Sequence, residues 1–120
     1  MKDLDNSEIV RYKGQVFRLI ETGTFERWVE SVRDRRAMTK IIDRLKRAAN
    51  GNFGDVESVG GGVSELRIHY GPGYRLYFFR RGQEVIILLC GGDKSSQRTD
   101  IECAKQLKAQ IEQTDGDASL

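Results

Sequence analysis

Apolar and polar positions alternate most regularly between Val63 and Phe79. Leu66 and Ile68 share one parity, while Glu65, Arg67 and His69 share the other. From Tyr74 onward, Tyr74, Leu76 and Phe78 alternate with Arg75, Tyr77 and Phe79. A period of two is the signature of a strand, and the β-branched and aromatic content agrees. Gly71-Pro72-Gly73 separates the two segments. Proline fixes φ and the flanking glycines accept positive φ, so a tight turn is predicted. Arg81-Gly82-Gln83 predicts a second turn, leading into Val85–Cys90. That third segment is apolar at both parities and reads as a central strand. The alternation gives the sheet one apolar face for a core. The opposite face carries Arg67, His69, Arg75 and Tyr77.

Around this sheet the period changes. Gln15–Ile20 reads as a short strand broken by Thr22-Gly23-Thr24, with Thr24 as a helix cap. Phe25, Trp28, Val29 and Val32 then repeat with helical spacing. Trp28 lies in this stripe and reads as a core anchor. A second helix after Asp34 carries Met38, Ile41, Ile42 and Leu45, and Asn50-Gly51 ends it. Residues 51–62, with five glycines, read as a loop. A last helix from about Arg98 has the stripe Ile101, Ala104, Leu107 and Ile111. The predicted order is β-α-α-β-β-β-α, an α+β arrangement with a mostly antiparallel four-stranded sheet. Residues 1–13 read as an N-terminal arm, 14–113 as the domain and 114–120 as a frayed tail.

Composition adds less than distribution. The formal charge is only +2, but residues 33–47 hold seven basic residues against Asp34 and Asp43. Arg36, Lys40, Arg44 and Arg47 fall on the polar face of the second helix, a candidate RNA-binding surface or a solvated face. Cys90 and Cys103 have no ligand spacing and read as reduced thiols. No window has the length and apolarity of a membrane span, and no secretory pattern is present, so a cytoplasmic protein without membrane association is expected.

The candidate chemistry is cationic. A single histidine and the absence of a Gly-x-Ser-x-Gly elbow exclude a serine triad of the usual design. No second histidine or cysteine pair predicts a metal site, and the glycine-rich loop lacks P-loop spacing, so no cofactor is expected. Arg67 and Arg75 are expected opposite one another across the hairpin, with Lys94 entering from the loop after the third strand. Converging cations stabilise a phosphorane and its leaving oxygen. His69 is then the candidate general base and Tyr77 a candidate base-contacting ring. The alternative is a structural one, in which Glu65 pairs with Arg67.

The run Glu65-Leu66-Arg67-Ile68-His69-Tyr70-Gly71-Pro72-Gly73-Tyr74-Arg75-Leu76-Tyr77-Phe78 resembles the addiction module killer branch of the RelE/ParE toxin superfamily. So do Leu88–Gln97 with Asp100-Ile101 and Ala104-Lys105, Gly51–Val56, and Phe25-Glu26-Arg27-Trp28. The resemblance covers about residues 15–111. It implies a RelE-like fold and the toxin half of a type II toxin–antitoxin pair. Its partner would be a small helix-turn-helix antitoxin of the HigA type. It further implies a metal-independent endoribonuclease acting on messenger RNA in the ribosome. Arg75 matches the arginine that faces the scissile phosphate in the RelE pattern. Arg67 and Lys94 lie near two further cationic positions. Asp100 or a neighbour stands where that pattern has a catalytic tyrosine, leaving His69, Tyr77 or Asp93 to act in its place. ParE-like relatives instead inhibit DNA gyrase without a nuclease site, and a plain RNA-binding module is the third reading.

Overall fold

The computed structural model describes residues 16–118, and side chains through residue 114. The N-terminal arm read over residues 1–13 lies outside them. The chain runs β1 (Arg18–Glu21), α1 (Gly23–Ser31), α2 (Arg35–Ala49), β2 (Val56–Gly60), β3 (Val63–Ile68), β4 (Tyr74–Arg81) and β5 (Val85–Gly92). A short 3-10 turn over Lys94–Ser96 then leads into α3 (Gln97–Ala118). The sheet order is β1-β5-β4-β3-β2. All pairings are antiparallel except β1 with β5. The α+β class and the three helices therefore stand, and β5 is central as its two apolar parities predict.

The sheet has five strands rather than four. β2 forms within the glycine-rich stretch that reads as a loop. Its residues are mostly exposed, and its ladder is set by β3 through Val56↔Leu66, Glu57↔Glu65 and Ser58↔Ser64. Such an edge strand has no apolar alternation of its own to betray it. The glycines after it serve a close approach. Gly60, Gly61 and Gly62 all have positive φ and lie under the Lys105 and Lys108 side chains of α3.

Helix boundaries follow their caps. Thr22, not Thr24, caps α1: its hydroxyl accepts from the Phe25 N–H at 3.0 Å and donates to the Leu89 carbonyl at 2.7 Å. That second bond fastens the helix start to β5. Asp34 caps α2 by accepting from the Arg36 and Ala37 N–H groups. Gly51, at φ +89°, ends α2 in the left-handed region, as the Asn-Gly pair predicts. α3 continues to Ala118, through most of the stretch read as a frayed tail.

Both faces of the sheet are covered, which the alternation does not anticipate. Phe25, Ile41 and Ala48 of α1 and α2 pack on Leu66, Ile68, Leu76, Phe78, Ile86 and Leu88. On the other face Ala104 of α3, with Ile101 and Leu107, packs on Tyr77, Phe79, Ile87, Leu89 and Cys90. The β4–β5 register shifts between Tyr77 and Phe78, pairing Tyr77 with Cys90 and Phe78 with Leu88. Leu89 is the extra residue of this bulge, so Leu89 and Cys90 both face α3. Beyond the bulge, Gly91 and Gly92 face opposite sides. A Cβ on Gly91 would overlap the Trp28 ring of α1, and a Cβ on Gly92 would overlap the Asp100 carboxyl of α3. Each glycine admits one helix to the end of the central strand. No described helix is long and apolar enough to cross a membrane.

Candidate functional site at the β3–β4 hairpin

Arg67 and Arg75 are cross-strand partners, as expected. They flank Glu65, whose side chain is only 2% exposed. One Glu65 oxygen accepts from Arg67 Nε at 3.1 Å. The other accepts from the Tyr77 hydroxyl at 2.9 Å and from Gln97 Nε2 at 2.8 Å, with Arg75 Nε 3.7 Å away. Arg67 is also ion-paired with Glu57 of β2. A carboxylate this deep must be compensated by donors. Three side chains from β3, β4 and α3 supply them, and Arg75 adds its charge.

Two expectations are corrected here. Tyr77 is fully buried and its hydroxyl is bound to Glu65, so it cannot stack on an RNA base. Burial and that bond push its pKa well up. Arg75 is not on an open surface either. Its side chain is 12% exposed, and α3 closes over the neighbouring strand positions.

Arg75 nevertheless reaches one exit from the covered face. Its Nη1 donates to the Gly73 carbonyl at 2.7 Å, while its Nε is buried without a hydrogen bond. A Cβ on Gly73 would lie 3.1 Å from Arg75 Nη1 and 3.4 Å from Lys94 Cβ. The missing side chain thus makes room at the hairpin for the Arg75 guanidinium and the base of the Lys94 side chain. Lys94 is exposed, and its N–H donates to the Pro72 carbonyl at 3.3 Å. Asp93 caps the following turn. Its carboxyl is held below the ordinary value by the Ser95 hydroxyl first, with backbone N–H groups and Arg75 adding to it. Asp100, the residue in place of the RelE tyrosine, accepts from the Ser96 hydroxyl at 2.5 Å beneath Gly92.

His69 is brought to Asp55 rather than to this corner. The two side chains meet at 2.5 Å, with the histidine side chain 75% exposed. The hydrogen bond from His69 is the main reason the Asp55 carboxyl sits below its ordinary 3.8. A depressed carboxyl contributes stability above its unfolded pKa and loses it as pH falls through the folded one. Asp55→Asn should therefore be less stable than the parent at pH 7, and the deficit should shrink below about pH 4. Urea melts at pH 7 and pH 3 check this. A deficit that stays constant would show that the pair adds nothing.

The basic stripe of α2 divides into two parts. Arg44 is half-buried and donates to the carbonyls of Arg67 at 2.5 Å, Phe53 at 2.9 Å and Asp55 at 3.4 Å. Three of its five N–H donors are spent on fastening the α2–β2 loop. Arg47 forks onto Asp43, at 3.0 and 2.5 Å. Arg36 and Lys40 have no carboxylate salt bridge among the described residues and face Tyr70 across an open groove.

Sequence reasoning missed the carboxylates. Glu65 stands two residues before Arg67, a spacing that places both on one strand face, and the pairing of the two was the structural alternative. Glu57, Asp55 and Gln97 carried no signal, because the pairing of β2 and the docking of α3 bring them in.

This hairpin site sits inside the stretch that defines the family. Residues 28–109 match the model of the phage-derived Gp49-like proteins (DUF891), and the chain belongs to that family. It is a toxin-like family related to the RelE/HigB-type toxins. A Haemophilus influenzae protein titled "Uncharacterized protein" is 48% identical over 90 residues, which cover 75% of this chain and 91% of that one.

Proposed function

We infer that the protein is the toxin of a type II toxin–antitoxin pair and cuts messenger RNA on the ribosome. The observation that carries this reading is the Arg75–Lys94 corner, where one guanidinium is fixed by a backbone carbonyl and Gly73 is flanked by that guanidinium and by the Cβ of the exposed Lys94. Preorganised cations of this kind favour the charge that develops on a phosphodiester oxygen. The RNA 2′-hydroxyl attacks the adjacent phosphorus, and its proton passes to water or to Asp93, the carboxylate next to Lys94, because His69 is held at Asp55 away from this corner. The P–O bond to the 5′ oxygen breaks, that oxygen takes up a proton, and a 2′,3′-cyclic phosphate remains. Lys94 neutralises charge on the phosphate, and Arg67 supports the site through Glu65. A small helix-turn-helix antitoxin of the HigA type would hold the toxin silent in the cytoplasm.

One observation favours a second reading. Arg67 and His69 are already paired with carboxylates, so the site is less cationic than its composition. A gyrase inhibitor working by protein contacts needs no free cations. Induced expression distinguishes the two. Translation should fall before DNA replication, with messages cut within coding sequence and ending in cyclic phosphate. Early arrest of replication with intact messages would establish the gyrase-type reading.

A further inference from the structure

The open groove beside α2 has a volume of ≈370 Å³ and is lined by Arg36, Thr39, Lys40 and Tyr70. It lies on the α2 side of the Gly71–Gly73 turn, whereas the Arg75–Lys94 corner lies on the α3 side. Tyr70 is held in place. Its N–H donates to the Ile68 carbonyl at 2.9 Å, and its hydroxyl donates to Asp34 at 2.9 Å. Asp34 also accepts from two N–H groups of α2, so its carboxylate is committed to the cap and to Tyr70. Thr39 returns its hydroxyl to the Arg35 carbonyl at 3.1 Å. The mobile donors left in the groove are the Arg36 guanidinium and the Lys40 ammonium. They are four residues apart on one helix face, roughly 5–6 Å between Cβ atoms, a span that one phosphate can bridge.

We propose that this groove binds one nucleotide of a single-stranded RNA, its phosphate between Arg36 and Lys40 and its base against Tyr70. Lys40 Nζ rests over the Tyr70 ring at 5.3 Å. An arriving phosphate draws the ammonium off the ring and uncovers the aromatic face for stacking. Phosphate contact and base stacking are the two elements of sequence-tolerant single-strand binding. An acidic peptide would use the two cations but would leave the ring idle, which is why the groove favours RNA. The choice of RNA rests on the function inferred above; the groove itself needs no catalysis there.

The test uses the full chain and a fluorescein-labelled uridine octamer, read by anisotropy across a salt series. Arg36→Gln with Lys40→Gln should weaken binding by roughly tenfold and reduce the salt slope by about 0.7, the share of one single-strand phosphate. Tyr70→Leu should weaken binding several-fold with the slope unchanged, and Tyr70→Phe should restore it. Arg47→Gln, already paired with Asp43, should alter neither. The proposal is overturned if the parent does not bind the octamer, or if the double variant keeps the parental affinity and slope. It is equally overturned if polyglutamate binds the groove more tightly than RNA, or if inorganic phosphate displaces the octamer at the octamer's own concentration. Octamer binding that depends on the groove, in a protein that leaves ribosomal messages intact, would sink the nuclease reading and leave this site standing.

Discussion

Replacing Glu65 with alanine is expected to destabilise the protein by roughly 3–5 kcal/mol, the usual cost of removing one partner from a buried ionic network. The loss has three sources. The Tyr77 hydroxyl, buried and hydrogen-bonded to Glu65, would lose its acceptor. Gln97 Nε2 would lose the bond that ties the first turn of α3 to β3. Arg67 and Arg75 would face each other across the ladder with their shared counter-charge gone. Against a total stability of about 5–15 kcal/mol for an ordinary domain, this is a large fraction. Glu65→Gln should cost clearly less, since an amide oxygen still accepts from Tyr77 and the volume is kept. Urea denaturation of both variants at neutral pH measures the difference. A loss of under about 1 kcal/mol for the alanine variant would mean that water replaces the carboxylate and that the network is not closed.

Much of this fold is legible in the chain because local signals agree with global ones. The Gly-Pro-Gly turn specifies one conformation, the stripes of α1 and α2 one buried side each, and the doubly apolar β5 a strand buried on both sides. What stayed hidden depends on contacts between distant segments. β2 is a strand because β3 offers it an edge, not because VESVG prefers extension. The face opposite α1 and α2 read as open because Arg67, His69 and Arg75 share a parity with Tyr77 and Phe79. The strand pattern is correct, but the inference from charge to exposure fails there. Glu65 neutralises the arginines from within, so α3 can close over Tyr77 and Phe79 and leave the charges at the rim.

The same logic governs the basic residues. Charge type is visible in a sequence, but its state of use is not. Arg44 and Arg36 stand two turns apart in α2 and look alike on a helical wheel. Arg44 serves three backbone carbonyls, and burial lowers its pKa. Arg36 lines an open groove. Neutralising all four residues of the stripe would therefore mix a folding defect with a binding defect. The groove pair Arg36 and Lys40 can be altered without disturbing the loop that Arg44 holds.

Arg75→Ala is expected to separate chemistry from folding, with a stability cost that an exposed arginine would not show. The side chain is 12% exposed, donates to the Gly73 carbonyl and lies 3.7 Å from Glu65. Loss of one charged hydrogen bond in such a setting costs about 1.5–3 kcal/mol. That leaves a domain of ordinary stability folded at 25 °C. The cut of ribosome-bound message should fall by roughly a hundredfold or more, the scale seen when one preorganised donor to a developing oxyanion is removed. Arg75→Lys keeps a charge but loses the planar fork that can hold Gly73 and a phosphate oxygen together, so it should rescue stability better than cleavage. Leu76→Ala supplies the opposite profile. Leu76 is fully buried against the α1–α2 core, and its truncation should cost roughly 2–5 kcal/mol while the molecules that remain folded cut normally. Cleavage rates normalised to the folded fraction, measured by circular dichroism on the same samples, give the comparison. Parental cleavage by folded Arg75→Ala would remove this arginine from the site. A deficit that disappears on normalisation would reduce it to the structural partner of Glu65 and Gly73.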